Sequence, residues 1–171
     1  FGRSRIGTDL YIEGQVDAPG ELKHVDCHIV TTEEFRALGI PLINGRDFTA
    51  GDDLLGHAVV IINEAFARRY FPNEDPIGKR IHITMNKLIY REIIGIAADV
   101  KQNGLDKETL SQTYEPFLQE PSNFMNLIVR VDRDPANLTA AIRGEVLALD
   151  REQPLANIQT LEKMVATSVA Q

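Results

Sequence analysis

The sequence of 171 residues holds a single cysteine, Cys27. That excludes an intrachain disulfide framework, a thiolate zinc cluster and a Cys-x-x-Cys redox pair. A domain of this size needs no covalent staple, so one free thiol is compatible with the cytoplasm and equally with the periplasm. Long hydrophobic runs are missing as well. No apolar stretch approaches the roughly 20 residues that cross a bilayer, and the chain from Phe1 onward lacks the basic-then-apolar order of a signal peptide. Basic clusters are also absent. Lys and Arg number 18 against 25 Asp and Glu, giving a net charge of -7, and they occur singly or in pairs such as Arg68-Arg69 and Lys79-Arg80. Such a surface does not track a phosphate backbone or an anionic membrane, so no nucleic-acid partner is expected. What remains, 43% hydrophobic and 25% charged, is the composition of an ordinary globular domain with material for a core.

The motifs of common chemistries are missing in the same way. A phosphate-binding Walker loop needs Gly-x-x-x-x-Gly-Lys-Ser/Thr, but Gly78-Lys79 is followed by Arg80 and preceded five positions earlier by Asn73. No dinucleotide fingerprint, zinc helix or serine nucleophile elbow occurs. His24-x-Asp26-x-His28 is the one constellation that could carry chemistry, because alternate strand residues share a face and two imidazoles so placed can hold a metal. A third and fourth ligand cannot be named, and the same residues equally fill the solvent side of a half-buried strand. His57 and His82 stand alone. The carboxylate pairs Glu33-Glu34 and Asp52-Asp53 follow helix-start and turn preferences. Asp132 to Asn137 fails the calcium-loop pattern, since its fifth position is Ala136. Asn137-Leu138-Thr139 is formally a glycosylation sequon but falls inside an expected helix. No catalytic, cofactor-binding or metal-binding residue is nominated, no cofactor is expected, and substrate or partner contacts stay unassigned.

The periodicities that are present describe interleaved strands and helices. Leu10 to Gly14 reads as a short strand ending in a glycine turn. Lys23 to Val30 alternates, with Val25, Cys27 and Ile29 on one side and His24, Asp26 and His28 on the other, which predicts a half-buried strand. Thr31 and Glu34 form a capping box for a helix that Gly39 ends and Pro41 keeps from continuing. The loop Asn44 to Phe48 and the acidic turn Gly51-Asp52-Asp53 follow. Ala58 to Ile62 is an apolar, β-branched run of strand length, which predicts burial on both faces. Asn63 caps a second helix in which Phe66 and Tyr70 share a face. Arg80 to Thr84 and Leu88 to Ile96 make a hairpin across Met85-Asn86-Lys87. Val100 to Leu110 reads as polar connection. Thr113 to Leu118 is expected at a sheet edge because Pro116 cannot donate to a ladder. Asn126 to Val131 and Leu155 to Gln159 read as strands. Asp134-Pro135 opens a helix carrying Leu138, Ile142, Val146 and Leu149 on one stripe, and Thr160 begins the last helix. The expected fold is α+β with α/β-type lobes, mixed sheets with helices packed on them.

Four stretches, in order and spacing, resemble a known family. They are Val30 to Leu42 with Gly45-Arg46-Asp47-Phe48; Val59 to Ala65 through Arg68-Arg69-Tyr70-Phe71-Pro72; Glu74 to Ile81; and Arg91 to Ile96 with Asp99-Val100 and Gly104-Leu105. With the Asp134-Pro135 helix and Leu149-Asp150 they cover most of the chain. This order is similar to that of the periplasmic core domain of MacB-type (macrolide-exporter, FtsX-like) ABC-transporter permeases. It departs locally, having Thr31-Thr32-Glu33 where the family often has Ser-Pro-Gly, and the first part of the family domain is expected to lie before Phe1.

The resemblance implies a domain inserted between the first two membrane helices of a permease and built of two small lobes. One lobe, assembled from both ends (1-51 and 124-171), would be membrane-proximal, and the inserted one (52-123) distal. It implies an extracytoplasmic location on a bacterial cell membrane and no catalysis in the chain itself. ATP would be hydrolysed on a separate nucleotide-binding domain or subunit that acts through the membrane helices. The full-length permease would work as a homodimer, moving an export substrate or engaging a membrane-fusion adaptor. The alternative is a free-standing ligand-binding or protein-interaction module.

Overall fold

The computed structural model describes residues 6-16, 23-83, 89-100, 109-122, 125-132, 138-152 and 156-169. Within them the order is β1 (Ile6–Ile12), β2 (His24–Val30), α1 (Glu34–Leu38), β3 (Leu42–Gly45), β4 (Val59–Asn63), α2 (Glu64–Tyr70), β5 (Arg80–Ile83), β6 (Tyr90–Ala97), β7 (Gln112–Pro116), α3 (Leu138–Leu149) and α4 (Leu161–Val169). The strands form one mixed sheet in the order β3-β6-β4-β7-β2-β1-β5, and β5 also pairs with β6. The ladder therefore closes on itself around six strands, with β3 extending the far end of β6. β2 with β7 and β4 with β6 run parallel; the other neighbours are antiparallel.

Paired residues point to the same side of a sheet, so the register assigns faces. Ile12 pairs with Ile81, Ile81 with Arg91, Val60 with Ile93, Ile62 with Thr113, and Cys27 with Thr113. On this inner face Leu10, Ile12, Val25, Val60, Ile62, Ile81, Ile83 and Ile93 form one core, joined by Phe66 and Phe71 from α2 and the residue after it. Each such side chain, fully buried, contributes about 1.5–3 kcal/mol. The outer face carries a second core: Val30, Val59, Ile61, Ile94, Ala97 and Tyr114, covered by Phe35 of α1 and by Phe48. A bulge, where the β4 register shifts between Val60 and Ile61, returns Ile96 to the inner core.

Several expectations change in the structure. β2 is not half-buried: it lies between β1 and β7, and Asp26 is buried on the side expected to face solvent. β7 is central rather than an edge, because Pro116 is its last residue and the ladder resumes with Phe117 N–H donating to the Val30 carbonyl at 2.8 Å. The expected loop Asn44 to Phe48 opens on the last two residues of β3. Residues 126-131 and 156-159 form no strand; both stretches lack apolar cover and are largely exposed. The expected hairpin turn Met85-Asn86-Lys87, most of the Val100 to Leu110 connection, the Asp134-Pro135 helix start and Leu155 lie outside the described residues.

Strand pairing crosses position 51. β1 and β2, from the first 51 residues, bond to β5 and β7 from the region 52-123. The described residues separate into two compact units, those up to Ile128 and those from Val129 on. The second unit contains α3, none of whose residues is buried, and α4, whose first turn takes a hydrogen bond from Lys163 N–H to Thr160 Oγ1 at 3.3 Å.

Candidate functional site

The histidine strand does not gather. His24 is exposed, with Nδ1 3.1 Å from Asp9 Oδ1, while His28 stacks on Tyr114 with ring centroids 5.5 Å apart. His57 is exposed, and His82 lies between Tyr11 and Tyr90 with Nδ1–H donating to the Ile89 carbonyl at 3.1 Å. Among the described residues no three His, Cys, Asp or Glu side chains converge as a metal site.

The polar side chains that do converge sit at three joints. The first surrounds Asn63, where β4 turns into α2. Asn63 Oδ1 accepts from Phe66 N–H at 3.0 Å, the helix cap, and from Gln112 N–H at 2.9 Å. Its Nδ2 donates to Asp99 Oδ1 at 2.8 Å and to the Leu110 carbonyl at 2.9 Å. Asp99 also accepts from Ala65 N–H and from Arg68 Nη2, and Glu64 accepts from Asp99 N–H. One fully buried amide thus ties together the ends of β4, α2, β6 and β7.

The second joint is the turn after β3. Arg46 grips Asp52 through both terminal nitrogens at 2.8 Å, and Asp52 accepts again from Thr49 N–H and Oγ1. The Arg46 guanidinium holds the Asp52 carboxyl below the usual carboxylate range. Gln119 clamps the next turn, accepting from Val59 N–H and donating to the Asp53 and His57 carbonyls. Beyond it Leu54 and Leu55 are 65% and 96% exposed.

The third joint lies on the inner face. Cys27 Sγ–H donates to Glu115 Oε1 at 3.0 Å, and Arg91 Nη2 meets Glu115 Oε2 at 2.7 Å and Glu120 Oε1 at 2.5 Å. Arg91 is 4% exposed and Glu115 2%. Burial pushes the Cys27 thiol up, helped by the Glu115 charge; burial also raises Glu115, against the pull of Arg91. Arg91 Nε is buried with no hydrogen-bond partner among the described residues.

The capping box forms by half. Glu34 accepts from the Thr31 backbone N–H, with its carboxyl raised by burial, but no side chain caps α1 at its first turn. Asn63, Asp99, Arg46 and Gly95 all lie in the four stretches quoted above, although only the cap role of Asn63 was legible. Glu115 and Glu120 were missed. The available signal was Arg91, a charge two positions from Ile93 and so on the buried side of its strand.

Residues 10–145 match the family model for the MacB-like periplasmic core domain. The chain belongs to that family. It is therefore a MacB-like periplasmic core domain of the ABC-permease type, with the α+β fold that the family carries. It is 36% identical over 81 residues to the uncharacterized ABC transporter permease YknZ of Bacillus subtilis (strain 168), covering 47% of this chain and 19% of that protein. It is 28% identical over 124 residues to the macrolide export ATP-binding/permease protein MacB of Aggregatibacter actinomycetemcomitans, covering 72% and 18%. The chain thus spans under a fifth of the length of either relative. Among solved structures, the periplasmic region of MacB from Actinobacillus actinomycetemcomitans superposes with TM-score 0.60 at 17% identity, over 85% of this chain and 64% of that one. A permease domain from Porphyromonas gingivalis does so with TM-score 0.53 at 18% identity, over 95% and 79%. No described helix is long and apolar enough to cross a membrane.

Proposed function

We propose that the MacB-like core domain described here is the extracytoplasmic part of a bacterial membrane permease and performs no catalysis of its own. It passes motion driven by ATP hydrolysis, on a cytoplasmic nucleotide-binding domain or subunit, to an exported substrate or to an adaptor partner. The working unit is a permease homodimer, and both ends of this chain lead toward membrane helices, with the 52-123 region distal. The observation that carries this reading is the family match over residues 10–145. The name of the MacB relative joins an ATP-binding and a permease part in one protein, which fits a division of labour between a motor and this domain. The hydrogen-bonded joint around the buried Asn63 suits a body that transmits force without deforming, since satisfied networks rigidify what they hold.

Two measurements test it. In the full-length gene product, a reporter enzyme active only outside the cytoplasm and fused after Gln171 is expected to be active; a cytoplasmic reporter result rejects the location. The purified chain is expected to hydrolyse no ATP, and stoichiometric nucleotide binding or turnover by it would place the motor here instead.

A further inference from the structure

Among the described residues, Arg91 is the one cation on the inner face, and two carboxylates reach the same nitrogen of it. Their situations differ. Glu115 sits on β7 with its side chain 3% exposed, and it cannot turn to water without opening the sheet. Glu120 is 20% exposed and belongs to a short strap, Phe117 to Pro121, that leaves β7 after Pro116. The strap is otherwise held by Phe117 N–H on Val30, by Gln119 and Glu120 N–H on Pro116, and by the Gln119 side chain.

We propose that Glu115 and Glu120 compete for the single Arg91 guanidinium, so that the strap is fastened while Glu115 carries a proton and loosens when that proton leaves. With Glu115 neutral, Arg91 faces one carboxylate and the cluster balances. With Glu115 ionised, two anions share one cation in a water-poor site, and the partner that can regain hydration is Glu120. Burial favours the proton on Glu115. Cys27 on β2 is the remaining ionisable group at the cluster, and its S–H donates to Glu115. On the same face β4 contributes Val60 and Ile62, β5 Ile81 and Ile83, and β1 Leu10 and Ile12, none of them charged. An extracytoplasmic domain is exposed to the pH of its surroundings, and this strap would respond to it. The inference does not depend on what the full protein moves.

Amide hydrogen exchange on the 171-residue chain, expressed as protection factors so that intrinsic pH effects cancel, tests it. Between pH 5 and pH 8 the Phe117, Gln119 and Glu120 amides should lose protection on the order of tenfold, equivalent to about one pKa unit of coupling between Glu115 and the strap. Core amides such as Ile93, bonded to Lys79, should keep theirs and so report on folding. Glu115→Gln should keep the strap protected at both pH values, and Glu120→Gln should leave it poorly protected at both. Equal wild-type protection at pH 5 and pH 8, or a pH response that survives in Glu115→Gln, overturns the proposal.

Discussion

Asn63 has two chemically different ends, and both are used. Alanine would remove the α2 cap, about 1 kcal/mol, and strand the buried Gln112 N–H, about 1–3 kcal/mol when unpaired. Asn63→Ala should therefore cost about 2 kcal/mol or more in urea unfolding. Asp keeps the acceptor but not the donor, and sets a carboxylate against Asp99 and the Leu110 carbonyl. Asn63→Asp should be at least as destabilising, and a variant as stable as wild type would show the donor end to be idle. Acid dependence divides by sign. Asp52 has a folded pKa below its ordinary 3.8, so its contribution is present above that pH and lost as pH falls through the folded value. The stability gap between wild type and Asp52→Asn should shrink as pH drops below about 3.8, read as melting temperature against pH. Glu34, Asp47 and Glu115 are raised, chiefly by burial, and act oppositely: their contribution is present below the ordinary value and fades as pH rises through the folded one.

At the scale of elements, β3 and β6 approach closely enough to require glycine on both sides. Gly45 has φ +77°, and a Cβ there would stand 2.2 Å from the Ile94 carbonyl oxygen; one on Gly95 would stand 2.6 Å from that of Arg46. Gly45→Ala and Gly95→Ala should each destabilise by more than about 2 kcal/mol in denaturant unfolding, because backbone, not a flexible side-chain tip, blocks the new atom. Leu55→Ser should stay within about 0.5 kcal/mol of wild type, its side chain touching little. Local signals served where one element decides: the apolar run of β4, the Asn63 cap, the Gly39 stop and the antiparallel pairing of β5 with β6 were all readable. They failed where the partner is remote. Pro116 suggested an edge, yet β7 is inserted between β2 and β4, and the Cys27–Glu115 bond joins residues 88 positions apart. The alternation in β2 is real, but the face that looked polar also carries Val30 of the outer core and His28 stacked on Tyr114. Periodicity alone made strands of Asn126 to Val131 and Leu155 to Gln159, and their described residues join no sheet.

The whole molecule divides where its burial divides. The first unit holds the seven strands of the described residues, both cores and the three polar joints; in the second, α3 presents no buried residue. No local feature of the sequence announces that β1 will pair with β5 or that β2 will pair with β7. A 12-residue helix with no core of its own is marginal in water, whereas a closed sheet with one apolar cluster inside and a second on its outer face is self-sufficient. A chain ending at Ile128 should therefore unfold cooperatively and keep the core amide protection of the 171-residue protein. Residues 129-171 alone should show little helix by circular dichroism. If the shortened chain instead loses cooperative unfolding, part of the stability of the closed sheet resides beyond Ile128, and the division by burial is not a division by folding.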